Sequence, residues 1–185
     1  MSTDQQLISN YLSGDEEALK ELISRYLKPV YNFIYHLAGN KENAEDISQE
    51  TFVKAWKNLK KYNPEQNFKT WLFTIARNTA IDWLRKKKSL VFSDFDSDDK
   101  NVMESTLSDE SPQALEEIIL SEDKKHLLEG IEKLSPMYQS ILTLRYNEEF
   151  TFKEIGEILG KPLHTVKSQH RRALIQLRKL LGAPN

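Results

Sequence analysis

The sequence predicts an all-α protein: two small helical domains joined by an acidic flexible linker, the C-terminal one a helix-turn-helix. Three observations carry that prediction. Apolar residues recur at spacings of three and four over most of the 185 residues, as in helices with one buried face. The pattern stops between Phe92 and Pro112, where FSDFDSDDKNVMESTLSDESP is rich in Ser and Asp and has too few spaced apolar residues for a core. Near the C-terminus two short periodic segments flank Gly160-Lys161-Pro162, and the second of them is basic. The predicted divisions are residues 1–90, an acidic linker over 91–124 that runs into the first helix of the next domain, and residues 125–185.

In the first domain Leu7, Ile8, Tyr11 and Leu12 open a helical pattern that Gly14-Asp15 interrupts, with Asp15 placed to cap the next helix. Ala18, Leu19, Leu22, Ile23, Tyr26 and Leu27 continue it, and Val30, Phe33, Ile34 and Leu37 carry it past Pro29 to Gly39-Asn40. Pro29 predicts a kink or a new first turn, because proline removes an amide donor. Asn43 to Leu59 reads as a helix with Ala44, Ile47, Thr51, Phe52, Ala55, Trp56 and Leu59 inward. Its other face carries Asp46, Gln49, Glu50 and Lys54, which fit either a solvated surface or a face that docks a protein. Polar residues around Pro64 form a loop, and helix resumes from Phe68 to Lys88. Along that helix Trp71, Phe73 and Trp83 are interleaved with Lys69, Arg77, Arg85, Lys86, Lys87 and Lys88. Rings that stack on bases beside cations that neutralise phosphate suit a single nucleic-acid strand, and the same rings also suit a core.

In the second domain Leu127 to Leu134 is one helix. Ser135-Pro136 caps and starts the next, which runs through Tyr138, Ile141, Leu142, Leu144 and Arg145. Ser111-Pro112, followed by Leu115, Ile118 and Ile119, predicts helix already before this domain. After a break at Asn147 to Phe150, Thr151 and Glu154 match a capping box for a helix bearing Phe152, Ile155, Ile158 and Leu159. A tight turn at Gly160-Lys161-Pro162 leads into a last helix from Leu163 or His164, with Val166, Ala173, Leu174, Leu177 and Leu180 apolar. Lys161 to Lys179 contains six basic residues and no acid. Two short helices about such a turn, the second basic and polar, describe a DNA-binding helix-turn-helix, whose second helix fits a major groove about 12 Å wide.

The formal net charge of −2 argues against nucleic acid only until it is divided. Residues 1–90 carry +3, residues 91–124 carry −9 and residues 125–185 carry +4. The acidity thus belongs to the linker. Zero cysteines exclude disulfides, thiol nucleophiles and Cys-based metal sites, and His36, His126, His164 and His170 are too scattered for a zinc site. No Gly-rich phosphate loop is present, so the sequence predicts no enzyme, no metal and no cofactor. It contains no membrane-spanning or signal-like segment, which makes the cytoplasm the expected location.

Three stretches together are similar to bacterial sigma factors of the sigma-70 class, in particular the small two-domain extracytoplasmic-function group. They are AEDISQETFVKAW (44–56), YNPEQNFKTWLFTIARNTAIDWLRKKK (62–88) and LSPMYQSILTLRYNEEFTFKEIGEILGKPLHTVKSQHRRALIQLRKLL (134–181). The resemblance makes residues 1–90 a region 2-like domain and residues 125–185 a region 4-like domain. It implies that Asp46, Gln49, Glu50 and Lys54 dock on core RNA polymerase. It further implies that Asn63, Asn67, Lys69, Trp71, Arg77, Asn78, Asp82, Arg85 and Lys86 meet the melted −10 strand of the promoter. His164, Thr165, Lys167, Ser168, Gln169, Arg171, Arg172 and Arg178 would read the −35 element as duplex. Gln169 stands where the family usually has Arg, and His164 where it often has a small residue. An anti-sigma protein is an implied partner; a small-molecule substrate is not. Two rival readings stay open: a dimeric regulator that binds a palindrome unaided, and a helical adaptor whose basic ends are only surface.

Overall fold

The computed structural model describes residues 2–87 and 124–182. The acidic linker, the Ser111-Pro112 cap, the pattern at Leu115 to Ile119 and Lys88 lie outside the described residues. The chain divides into two compact units, the first built on the N-terminal helices and the second on the C-terminal ones.

Among the described residues the N-terminal part has four α-helices. Helix α1 (Asp4–Leu12) starts earlier than the apolar pattern, because Thr3 and Gln6 form a capping box. The Gln6 amide donates to Thr3 Oγ1 at 3.2 Å, and the Thr3 amide donates to Gln6 Oε1 at 2.8 Å. Helix α2 (Glu16–Ala38) begins where Asp15 accepts from the amides of Glu17 and Ala18. It runs through Pro29 as one helix, so of the kink or new first turn that the sequence predicts, the new first turn does not form. Leu22, Tyr26, Val30, Phe33, Ile34 and Leu37 are buried on one continuous stripe that spans the proline. Burial of that stripe offsets the one hydrogen bond that Pro29 cannot donate. Gly39, at φ 73°, ends the helix in the left-handed conformation, its amide bonded to the Tyr35 carbonyl at 2.9 Å.

Asn40 caps α3 (Lys41–Asn58) through the Asn43 amide. Ala44, Ile47, Thr51, Phe52 and Ala55 face inward, as does Leu59 in the 3-10 turn that follows (Leu59–Lys61). Ser48 and Thr51 are buried because their hydroxyls donate to the carbonyls one turn back, at Ala44 and Ile47. A loop then leads to α4 (Phe68–Lys87), whose Leu72, Phe73 and Ala76 close the core, with the Phe73 ring 5.4 Å from Phe33.

The second unit starts with α5 (Lys124–Glu132) and α6 (Pro136–Leu142), the latter capped by Ser135 with Pro136 in its first turn. The sequence carries this second helix on through Arg145. Instead the backbone widens over Thr143–Asn147 into a π turn, with Glu148 N–H bonded to the Thr143 carbonyl. Glu149 follows at φ 59°, a left-handed conformation that costs a non-glycine residue energy. The detour is held by Arg145, which donates to the Phe150 carbonyl at 3.0 Å. The Thr151–Glu154 capping box then forms as its spacing predicts, and α7 (Phe152–Leu159) follows. The turn at Gly160 (φ 65°) leads to α8 (Leu163–Leu181). Ile141, Leu144, Ile155, Val166, Ala173 and Leu177 form the core of this unit.

Candidate polymerase and nucleic-acid interfaces

Three surfaces collect the residues singled out by the sequence. On α3, Asp46, Gln49, Glu50 and Val53 recur at helical spacing, so they share an outer face. Asp46 and Gln49 are exposed; Glu50 and Lys54 are half-buried and paired, Nζ to Oε1, at 2.9 Å. The sequence missed the apolar part of this face. Val53 is 49% exposed and Leu27, across on α2, is 50% exposed. Together with Tyr31 and Phe52 they line a groove of about 720 Å³ between α2 and α3, and Gln49 lies on its rim. Leu27 continues the apolar pattern of α2, so spacing alone assigns it to the core. An apolar patch with a polar rim is the usual mark of a protein-docking surface.

The second surface is the loop after the 3-10 turn. Tyr62 and Phe68 are buried and Trp71 half-buried, with ring centroids 5.1 to 5.6 Å apart, and the exposed residues Asn63 to Asn67 lie between them in the chain. The loop is tied by its own polar groups. Asn63 Oδ1 accepts from the Glu65 amide at 3.0 Å, and the Asn63 carbonyl accepts from the Gln66 amide at 3.0 Å. The Tyr62 hydroxyl donates to the Gln66 carbonyl. Burial, with Asp4 nearby, raises the Tyr62 pKa above the ordinary tyrosine value, which keeps that hydroxyl a donor. Asn67 Oδ1 accepts from the Thr70 amide and so serves as a cap for α4. The side-chain oxygens of Asn63 and Asn67 thus each accept one backbone amide that shapes the loop.

Along α4, Trp71, Asn78, Asp82 and Arg85 fall on one ridge at steps of seven, four and three, and the last three are exposed, with Lys86 beside them. Arg77 lies off this ridge, half-buried, and donates to Asn78 Oδ1 at 3.0 Å. Lys69 points back over the Phe73 ring at 5.9 Å from its centroid. Of the three rings left open between core and stacking, Phe73 is core, whereas Trp71 and Trp83 keep part of their surface in solvent.

The third surface is α8. The turn before it is tight: a Cβ on Gly156 would lie 2.8 Å from the Lys161 carbonyl oxygen, so that position requires glycine. The Lys161 amide donates to the Gly156 carbonyl at 2.9 Å. No side chain caps α8, so its first amides are left for solvent or a phosphate. His164, Ser168, Arg171 and Arg178 fall on one ridge, with Lys167 and Arg172 a turn away from its members and Thr165 alongside. His164 is exposed and the others half-buried. Ile175, 43% exposed, occupies the same ridge and was not foreseen.

Gln169 departs from the sequence expectation. It is 1% exposed, and its Oε1 has no hydrogen-bond partner among the described residues. Its register explains this: Gln169 is three residues after Val166 and four before Ala173, both fully buried. It belongs to the inner stripe, not to the outer ridge. His170 beside it is also buried; its Nε2 lies 3.0 Å from the Tyr146 hydroxyl, and its ring meets Phe152 edge-on at 4.9 Å. Burial, helped by Arg145, lowers the His170 pKa from 6.5 to about 4, so the ring is neutral near pH 7. Arg145 stacks on the other partner, its guanidinium 4.9 Å from the Phe152 centroid. The π turn, α7 and α8 are thus joined through one polar-aromatic cluster beneath the outer ridge of α8.

Two family models match the chain in order: sigma-70 region 2 over residues 22–90 and sigma-70 region 4 over residues 130–179. The ECF RNA polymerase sigma factor SigW of Bacillus subtilis is 32% identical over 176 residues, covering 94% of each chain. The chain belongs to the extracytoplasmic-function sigma factors of the sigma-70 class. A second relative, the sigma factor YlaC of the same species, is 31% identical over 88% of this chain and 91% of its own. Among solved structures, the sigma factor RpoE in complex with the anti-sigma factor NepR from Bartonella quintana superposes with a TM-score of 0.64. The match covers 90% of this chain and 98% of that one at 25% identity. As a sigma factor the protein is not an enzyme; its general task is to bind RNA polymerase and direct promoter recognition. Among the described residues no group of His, Asp and Glu could hold a metal ion, and no helix is long and apolar enough to cross a membrane.

Proposed function

We propose that this sigma factor divides promoter reading between its two units while α3 holds it on core polymerase. The region 4-like unit, residues 125–185, grips the −35 element as duplex with the outward ridge of α8. The region 2-like unit, residues 1–90, traps an unstacked base of the melted −10 strand over the loop at Asn63 to Asn67. The ridge of α4 then contacts the exposed backbone. Unstacking a base costs a few kcal/mol, which stacking and phosphate contacts offset. The observation that carries this reading is the α8 ridge: His164, Ser168, Arg171 and Arg178 lie in line on the second helix of a capped helix-turn-helix. The apolar groove beside Gln49 supports α3 as the docking face for polymerase. We also infer regulation by an anti-sigma protein, which the complex of the RpoE relative with NepR supports, and work in the cytoplasm, which the cysteine-free composition supports.

Run-off transcription with core polymerase and the purified chain on a genomic promoter library tests the proposal. Start-specific transcripts preceded by a common −35 and −10 pair are expected. Absence of any such transcript, with polymerase binding intact, would end it. Reversal of charge at Asp46 is expected to weaken core binding; unchanged binding would remove α3 from the docking face.

A further inference from the structure

Helix α1 contributes nothing to the surfaces above, yet its first turn reaches the loop that the proposed function assigns to the −10 strand. Gln5 Nε2 donates to the Pro64 carbonyl at 2.9 Å across 59 residues of sequence. Pro64 lies at the middle of the loop, between Asn63 and Glu65, whose mutual bond forms the turn. The start of α1 is itself fastened to α2. Asp4 accepts from Arg25 Nη1 at 2.5 Å and from the Tyr26 hydroxyl, and Arg25 Nη2 donates to the Ser2 carbonyl at 3.0 Å. Tyr26 then meets Phe68 edge-on at 5.6 Å, and Phe68 meets Tyr62 likewise at 5.6 Å. The Thr3–Gln6 capping box fixes the backbone on both sides of Gln5. The loop is therefore held at one end by Tyr62, within an aromatic stack that leads back to Asp4, and at its crest by Gln5.

We propose that Gln5 is a positioning residue for strand capture: from the first turn of α1 it sets the crest of the Asn63–Asn67 loop over the Tyr62–Phe68–Trp71 cluster. Gln5 touches no nucleotide in this scheme. It acts by keeping the loop in one conformation before the strand arrives, so that binding does not have to order it. The proposal rests on the base-capture reading only for its consequence; the brace itself is a property of the free protein.

The test uses the full chain and three variants. Gln5→Ala removes the side chain, Gln5→Glu keeps its shape and removes the donor, and Gln5→Lys restores a donor. Hydrogen exchange at the amides of Glu65 and Gln66 is expected to quicken roughly threefold in Gln5→Ala and Gln5→Glu, the scale of one exposed neutral hydrogen bond. Gln5→Lys and the parent chain are expected to match, with α2 to α4 unchanged in all. Equal loop exchange in every variant, or an acceleration spread evenly over α2 to α4, overturns the brace. A second arm measures binding of the chain with core polymerase to the −10 strand carrying one abasic site at a time. The parent is expected to show one sensitive position, and Gln5→Glu to lose a similar threefold at that position alone. Faster loop exchange with a flat abasic profile in the parent would leave the brace standing and reject base capture instead. A sharp profile that Gln5→Glu leaves unaltered rejects the brace as a determinant of capture.

Discussion

The two candidate reading surfaces are built on opposite plans. In the second unit the surface is one face of a helix: His164, Ser168, Arg171 and Arg178 are aligned by the 3.6-residue period, and a buried cluster of Tyr146, His170, Phe152 and Arg145 fastens the helix from below. In the first unit it is a loop with no period, shaped by bonds from Asn63, Tyr62 and Asn67 and braced from a helix 59 residues away in sequence. A rigid helix suits a regular duplex groove, which offers base edges at fixed intervals. A loop beside the half-buried ring of Trp71 suits one unstacked base, whose recognition needs a cavity rather than a ridge.

The comparison breaks most readily at the α8 ridge. Replacing Lys167 and Arg171 together by Ala is expected to reduce −35-dependent transcription on the order of 100-fold, at about 1 to 3 kcal/mol for each contact. Binding of the −10 strand in the polymerase complex should hardly change. Equal loss on both DNA elements would mean that the two surfaces do not work separately.

The fastening beneath that ridge responds to acid. The folded-state pKa of His170 is depressed from 6.5 to about 4, so between these values the unfolded chain binds more protons than the folded one. The contribution is fully present above pH 6.5 and is lost as pH falls towards 4. A decrease on the order of 2 kcal/mol is expected in the second unit between pH 7 and pH 5, read from urea midpoints. Replacing His170 with Asn should flatten the slope; a slope that survives this change would assign it to other groups.

In the first unit, Trp71→Ala is expected to weaken −10 strand binding about tenfold, the worth of one base–aromatic stack, and to leave duplex binding unchanged. Equal affinity for the strand would return Trp71 to a packing role. The smallest effect is expected at Gln169, whose Oε1 is buried without a partner among the described residues. Gln169→Leu removes that oxygen at similar volume, so stability should hold or rise by about 1 kcal/mol and duplex affinity should stay within twofold. A large loss of −35 binding would put Gln169 back on the reading face.

How far these surfaces are legible in the sequence follows from the range of the forces involved. Caps are local: Asp15, Ser135 and the Thr151–Glu154 pair each bond within three residues, and each behaves as its spacing predicts. The α8 ridge is nearly as legible, because a helical period assigns faces; Leu180, read as part of the apolar side, is exposed, and Gln169, read as part of the polar side, is buried. Its polarity pointed outward while its register, between Val166 and Ala173, pointed inward. Asn63 and Asn67 were legible as loop residues, but not the use of their oxygens, which depends on how the chain turns back on itself. Leu27 shows the converse failure, since apolar character alone does not tell a core residue from one lining an open groove.

By itself the sequence determined the helices, the caps at Asp15, Ser135 and Thr151–Glu154, the glycine-dependent turn before α8 and the separation of charge between domains and linker. All of these follow from residues within about one helical turn of each other or from composition. Only the tertiary structure decided that α2 continues through Pro29, that the chain widens at Thr143–Asn147, that Gln169 and His170 face inward, and that Gln5 reaches Pro64. Each of these outcomes depends on which distant side chains fill the space alongside. A local rule, such as proline's missing donor or glutamine's preference for water, yields when burial across the whole unit outweighs it.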